Sequence, residues 1–362
     1  MTENKNVRLD PVGAQNLCTT ILEAGGVSGE GAKLIAENLI LADLRGIGSH
    51  GISRMAVYCD RLDNGHMDPY ATPEILSQSD STALFDAHNA PGAVAGVAAM
   101  DLCIKKAAES GIASCAVKHS NHYGIAAFYA KRALSKNMIG ISFSNAPATM
   151  APWGSITPMM GTNPFCYAIP ANRRKPIILD CATSLVARGK INLAEIEGKE
   201  IPLGWAVDSS GRPTTNATEA LLGSVLPLGG YKGSGLSIVI DVLCGVLSGA
   251  SFGKHIGPLY ANADTDQNLG HFFIAIDISR FSNPDDFKKR IDSMIDEIKN
   301  AEKADGTGEI YLPGEIEFMN EEENLIRGIE VGPGVMRELR DLCDRYTLKS
   351  NPEDLILKEE VK

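Results

Sequence analysis

Residues 45–54 read Arg-Gly-Ile-Gly-Ser-His-Gly-Ile-Ser-Arg, and the rest of the chain is organised around them. Upstream, Ser28 to Leu44 spaces Leu34, Ile35, Asn38/Leu39 and Ala42 as one buried helix face spaces its residues. Gly46 follows as a stop, because a residue without Cβ enters the left-handed region freely. Downstream, Ile52, Met55, Ala56, Cys59 and Leu62 repeat the helical spacing up to Gly65, a second stop. Ser49 then stands where an N-cap belongs, and His50 falls in the first turn of the second helix. Unpaired N–H groups at that end disfavour an imidazolium, so His50 is expected to be neutral and able to take a proton from a hydroxyl. The plainer readings are a Ser49 that only caps and a His50 with no task.

The same run contains Gly46-x-Gly48-x-x-Gly51, the letters of a dinucleotide-binding loop. That loop needs a strand before it and a helix opening at its end. Here a helix precedes it, so the match is rejected.

A length of 362 residues suits two or three lobes. With 44% hydrophobic and 22% charged residues, disordered and collagen-like classes are excluded. A net charge of −11 argues against nucleic acid or an anionic membrane as partner, since each needs a basic face. The eight cysteines form no C-x-x-C and do not cluster with histidine. They are expected to be free thiols in a reducing compartment, with no structural metal. The first residues lack the apolar stretch of a secretory signal. The longest apolar run, Leu236 to Leu247, is broken by Asp241 and is too short for a bilayer. A cytoplasmic protein is the expectation.

Residues 1–68 are helical by pattern and end at Asp68-Pro69. Strands are predicted at Thr82–Asp86, Ile112–Val117, Met138–Phe143, Pro176–Asp180 and Phe272–Asp277. Helices are predicted at Gly92–Ser110, Ile125–Ser135 and Pro284–Ala301, and from Gly233 to Leu247 with burial on nearly all sides. Alternating strands and helices make an α/β layered domain. From Glu321 to Lys362 the pattern returns to helix and a charged tail.

Some side chains outside the opening run suit chemistry. Arg54, one helical turn past His50, is either a solvated arginine or a fork gripping a carboxylate in two hydrogen bonds. His122, at a strand-to-helix turn, is either a turn residue or a cofactor or acid–base group at the carboxyl edge of a sheet. Asp180-Cys-Ala-Thr-Ser184 follows an apolar strand, which suits Thr183 and its backbone to a nucleotide. Lys232, in Gly-Gly-Tyr-Lys-Gly-Ser-Gly, lacks phosphate-loop spacing, yet glycines before a helix admit an anion. A cofactor-free hydrolase using Ser49 and His50 would need a G-x-S-x-G elbow, which is missing, and adjacent residues make a poor triad. A non-enzymatic binding protein is the other alternative.

The run R-G-I-x-S-H-G-x-x-R resembles the malate/L-lactate dehydrogenases that bind NAD(P) without a Rossmann fold. The resemblance recurs in order at Ser120-Asn-His-Tyr-Gly124, Gly161-Thr-Asn-Pro164 and Asp180-Cys-Ala-Thr-Ser184. It continues at Gly189-Lys190, Gly229-Gly-Tyr-Lys-Gly233 and Leu312-Pro-Gly-Glu315. It implies an α/β fold: a non-Rossmann NAD(P)-binding domain with a mixed sheet (76–317), plus a helical domain from both chain ends (1–75 and 318–362). The implied activity is hydride transfer between NAD, with NADP as alternative, and a small 2-hydroxy acid. Malate is the first expectation, with ureidoglycolate, L-lactate or sulfolactate as alternatives. Catalytic roles fall on His50, Ser49, His122 and Lys190, and substrate contacts on Arg54 and Thr162. Relatives place the acid–base role on either histidine, and the residues favour His50. A lysine at 190, where the piperideine-carboxylate branch has aspartate, points to the malate or lactate relatives. Cofactor contacts implied are His122, Tyr123, Gly124, Ser144, Asp180, Cys181, Ala182, Thr183, Lys232, Gly308, Pro313, Gly314 and Glu315. The resemblance also implies a homodimer whose site draws on both subunits.

Overall fold

The computed structural model describes residues 5–196, 198–260 and 265–357; the first four residues and the last five of the charged tail lie outside them. The chain opens with a short strand, β1 (Val7–Leu9), then helices α1 (Pro11–Ala24), α2 (Gly29–Leu44) and α3 (Met55–Asp63). Ser28 caps α2 by accepting from the Gly31 N–H; Gly46 ends the helix at φ 78°, as the sequence predicts. The start of α3 is a correction. Ser49 does not cap it; two 3-10 turns, Gly48–His50 and Ile52–Arg54, intervene, with extended Gly51 between them. Segment 1–68 is therefore not wholly helical, since β1 opens it and irregular turns divide α2 from α3.

Next come β2 (Glu74–Gln78), β3 (Thr82–Asp86), α4 (Gly92–Ser110), β4 (Ile112–Ser120), α5 (Ala127–Ala130), β5 (Met138–Ser144), β6 (Phe165–Ile169) and β7 (Ile177–Cys181). A small lobe carries α6 (Arg188–Ile196), β8 (Ala206–Val207), β9 (Pro213–Thr214), α7 (Ala217–Leu222) and β10 (Ser224–Val225). The chain closes with α8 (Tyr231–Asp241), β11 (Leu269–Asp277), α9 (Pro284–Lys299), α10 (Glu315–Arg327), β12 (Ile329–Val331) and α11 (Pro333–Arg345).

Seven strands form one mixed sheet in the order β2-β3-β4-β11-β5-β6-β7. Only β3 and β4 run parallel; the other neighbours are antiparallel. A doubly wound dinucleotide fold needs successive parallel strands, so this sheet is not one. The late strand β11 slots between β4 and β5, and its Phe273 packs with Met100, Cys103, Val117 and Tyr129 under α4 and α5. Gly96 on α4 admits the Tyr129 ring where a Cβ would press on it. The opposite sheet face, with Phe143, Phe165 and Phe272, meets Ile240 of α8 and Cys244.

Three further expectations change. The helix predicted over Ile125–Ser135 is only α5 and a 3-10 stretch, Lys131–Lys136, ended by left-handed Asn137. The helix from Gly233 starts earlier, at Tyr231, and finishes in a π turn, Val242–Val246. It is not buried all round. It covers the sheet with one side only, and leaves Ile238, Val239, Val242, Val246 and Leu247 about half exposed. The closing helix begins at Glu315, ahead of Glu321, so the boundary read at 317/318 falls within α10.

Both chain ends pack together. β1 pairs antiparallel with β12, and Leu17, Ile21, Leu39 and Met55 share a core with Leu339 and Leu342. Helix α10 holds the end of α2: Asn320 and Asn324 donate to the carbonyls of Arg45 and Leu44, and Phe318 lies against the Arg45 guanidinium. All eight cysteines are free thiols, and seven are buried. Among the described residues no helix is long and apolar enough to cross a membrane.

Candidate active site

The turns between α2 and α3 bring Ser49, His50 and Arg54 to one place, and the β4–α5 turn brings His122 to it. The His50 and His122 rings stack with centroids 5.6 Å apart and planes 28° apart. Ser49 Oγ lies 3.0 Å from His50 Nδ1, and the Tyr58 hydroxyl lies 2.7 Å from His122 Nδ1. Tyr58 comes from α3, four residues after Arg54. This tyrosine does not stand out in the sequence, because its partner His122 lies 64 residues away in the chain.

Both imidazoles are neutral in this setting. Burial, and then the Arg54 charge, pushes His50 down to about 4. Burial also holds His122 well below its usual range, with Arg54, His50 and His271 adding to the effect. The neutrality expected of His50 is present, but its physical cause differs. Desolvation and Arg54 produce it, whereas the sequence pointed to a helix end that does not exist there.

Arg54 is buried, and its guanidinium lies over the Tyr260 ring, 5.1 Å from the centroid. Its Nε and Nη1 are buried without a hydrogen-bond partner. A buried guanidinium with unmet donors is costly unless an anion completes it. A small anion such as a carboxylate would supply an acceptor for such a donor.

Loop contacts hold His122 in place. Its backbone N–H donates to Gln267 Oε1 at 3.0 Å, and Asn38 of α2 donates to the Tyr123 carbonyl and accepts from the Ile125 N–H. Gly124 has φ 80°, and a Cβ there would strike Asn38. Beneath the loop, buried His271 bridges Ser120 Oγ (2.8 Å) and Ser144 Oγ (2.9 Å), joining β4, β11 and β5. Tyr123 stacks on His271 and is itself buried, so its side chain belongs to the core and is not presented at the site edge. Neither Gln267 nor His271 stood out in the sequence, because their partners lie far away in the chain.

The other expected residues spread around this centre. Thr162 offers its carbonyl to the N–H and hydroxyl of buried Thr183. Asp180 caps α5 by accepting from the Ala127 N–H at 2.7 Å, and burial raises it to about 6. Cys181 is half-buried beside it, and Ala182 links them to Thr183 in the turn after β7. Ser144 Oγ is committed to His271 and the Asn145 carbonyl. Pro313 accepts from the Ile178 N–H, and Gly314, at φ 87°, leaves room for Ile178. Glu315 is taken up by Lys299 and the Leu312 N–H, while exposed Gly308 accepts from Lys303. Lys190 is exposed on the first turn of α6, and neighbouring Gly189 faces Ser49: a Cβ there would lie 3.7 Å from Ser49 Cβ.

Lys232 is exposed on the first turn of α8, which follows Gly229 and Gly230, both with positive φ, and has no side-chain cap. A helix start, two glycines and an adjacent ammonium suit a phosphate, although the Gly230 and Gly233 N–H groups already donate to the Pro227 and Leu228 carbonyls. These residues fit a dinucleotide.

A family model described as malate/L-lactate dehydrogenase matches residues 10–340. A malate dehydrogenase of Pyrococcus abyssi is 41% identical over 337 residues, covering 91% of this chain and 92% of its own. The solved sulfolactate dehydrogenase of Methanocaldococcus jannaschii superposes with a TM-score of 0.90 at 38% identity, covering 96% of this chain and 99% of that one. A ureidoglycolate dehydrogenase (NAD(+)) of Escherichia coli is 33% identical over 84% of this chain and 87% of its own.

Proposed function

The chain belongs to the malate/L-lactate dehydrogenase family and is a 2-hydroxyacid dehydrogenase, and on that premise we propose that its substrate is malate, interconverted with oxaloacetate, with NAD as the preferred cofactor. The observation carrying this reading is Arg54, a buried fork with two unmet donors beside two neutral imidazoles. The nicotinamide, when bound, takes or returns the hydride at its C4. The first turn of α8 with Lys232, and the Asp180–Thr183 turn, hold the cofactor.

Arg54 grips the C1 carboxylate in two hydrogen bonds and fixes the substrate C2 hydroxyl near His50. His50 takes the hydroxyl proton during oxidation and returns it during reduction. It is preferred over His122 because of where the proton can go next. Exposed Ser49 on His50 Nδ1 offers a route to solvent, with Lys190 nearby in sequence to its facing glycine. His122 Nδ1 instead meets Tyr58, a buried phenol whose acidity burial suppresses. His122 therefore orients the cofactor and substrate side of the cleft.

The half-exposed apolar stripe of α8 supports a homodimer, and the free thiols support a reducing, cytoplasmic setting. Similarity to the ureidoglycolate enzyme, together with His122, supports ureidoglycolate as the second reading.

The test is an absorbance screen at the nicotinamide band, using NAD and NADP against malate, L-lactate, sulfolactate and ureidoglycolate. Malate with NAD should give the highest kcat/KM. A higher value for another acid overturns the substrate, and no turnover of any of them overturns the reading.

A further inference from the structure

We infer that Asp43 is a positioning residue: its carboxylate is the form on which the Ser49–His50–Arg54 loop is wound. The inference rests on the dehydrogenase reading of that loop. Asp43 sits in the last turn of α2, largely buried, and Oδ2 accepts from the Ile52 N–H at 2.7 Å. Gly51 packs directly on the same carboxylate, where a Cβ would overlap Oδ1, Cγ and Oδ2 together. Gly48 faces it too, with room for a Cβ at 3.6 Å from Oδ1. The loop's other side is pinned by the buried side chains of Ile52 and Met55.

Within 48–54 the two short turns have no side-chain cap of their own; apart from the His50 N–H bond to the Ile47 carbonyl, the loop's own bonds run between its members, such as Ser53 Oγ to the Gly48 carbonyl. Among the described residues, Asp43 is the one side chain from outside this loop that hydrogen-bonds its backbone. Three functional side chains therefore depend on one acceptor. Asp43 touches no reacting atom; it acts by fixing where Ser49, His50 and Arg54 stand. Displacing a reacting group by about 1 Å can cost on the order of a hundredfold in rate.

The experiment combines Asp43→Ala, Asp43→Asn, Gly51→Ala and the double variant Asp43→Ala/Gly51→Ala. Asp43→Ala should lower kcat/KM for the hydroxy acid by at least about tenfold, with the NADH dissociation constant unchanged. Asp43→Asn retains an acceptor oxygen and should restore activity to within about threefold. Gly51→Ala should be as harmful as Asp43→Ala. The double variant should be no worse than the poorer single, because removing the carboxylate vacates the space the methyl needs. Backbone amide exchange at Ile52 should quicken in Asp43→Ala. An Asp43→Ala enzyme of normal activity overturns the inference, as does equal loss of hydroxy-acid turnover and NADH binding, or additive losses in the double variant. Failure of the dehydrogenase reading shows separately, as an unaltered protein that turns over no hydroxy acid. Ile52 exchange then decides the loop's dependence on Asp43 by itself.

Discussion

The Arg54 guanidinium lies over the ring of Tyr260, 5.1 Å from its centroid, and keeps Nε and Nη1 free of any partner. The ring lies against the cation, and two of its donor nitrogens are buried with no acceptor. An arginine held this way has its plane set before substrate arrives, so little orientational freedom remains to be lost on binding. The stacking also explains how a cation persists in a site where burial lowers its basicity.

Arg54→Lys tests the fork. Lysine keeps the charge but presents a single ammonium, without two parallel donors. It should reduce kcat/KM for the hydroxy acid by about tenfold or more, while NADH binding stays as it was. Equal activity with lysine would rule out bidentate recognition at this position.

How much of this was legible in the sequence varies with range. Helix α2 and its glycine stop rest on local spacing and a positive φ, and both read correctly. The start of α3 did not, because Asp43 takes the role of organising the turn that Ser49 was given. From the sequence Asp43 has no role, and only its contact with Gly51 and Ile52 gives it a task. Periodicity found the central strands but not the insertion of β11 between β4 and β5, since strand order leaves no trace in local alternation. The apolar run of α8 read as buried on nearly all sides because hydropathy does not say which face of a helix meets a neighbour.

Lys232→Ala tests the cofactor edge. Removing the ammonium beside the uncapped first turn of α8 should raise the cofactor KM by about tenfold, a loss of roughly 1.4 kcal/mol. The kcat at saturating cofactor should change little. An unaltered cofactor KM removes Lys232 from the site.

Val239→Glu tests the apolar stripe of α8. Val239 is 54% exposed in the single chain, flanked by Ile238, Val242 and Val246. A carboxylate buried there without a partner is strongly unfavourable, so sedimentation should show monomers. If the site draws on both subunits, activity falls with the dimer. A dimer of unchanged stability would place the interface elsewhere.

His50→Asn against His122→Asn decides the acid–base assignment. His50→Asn should retain NADH binding and lose at least about a hundredfold in kcat, within the usual range for a positioned acid–base group. His122→Asn should weaken cofactor binding more than turnover. The pH profile adds a second discriminator. Oxidation needs neutral His50, and its pKa is depressed to about 4. The rate of hydroxy-acid oxidation should therefore fall only as pH drops towards that value, well below the ordinary histidine range of about 6.5. Reduction needs the protonated form and should change in the opposite sense. A folded-state pKa below the unfolded one also means that His50 subtracts stability as pH falls from about 6.5 towards 4. Melting temperatures at each pH separate that effect from the catalytic limb. The limb should vanish in His50→Asn and persist in His122→Asn. If His122→Asn abolishes turnover while His50→Asn keeps its activity and its limb, the proton passes through His122, and Tyr58 rather than Ser49 is its next stop.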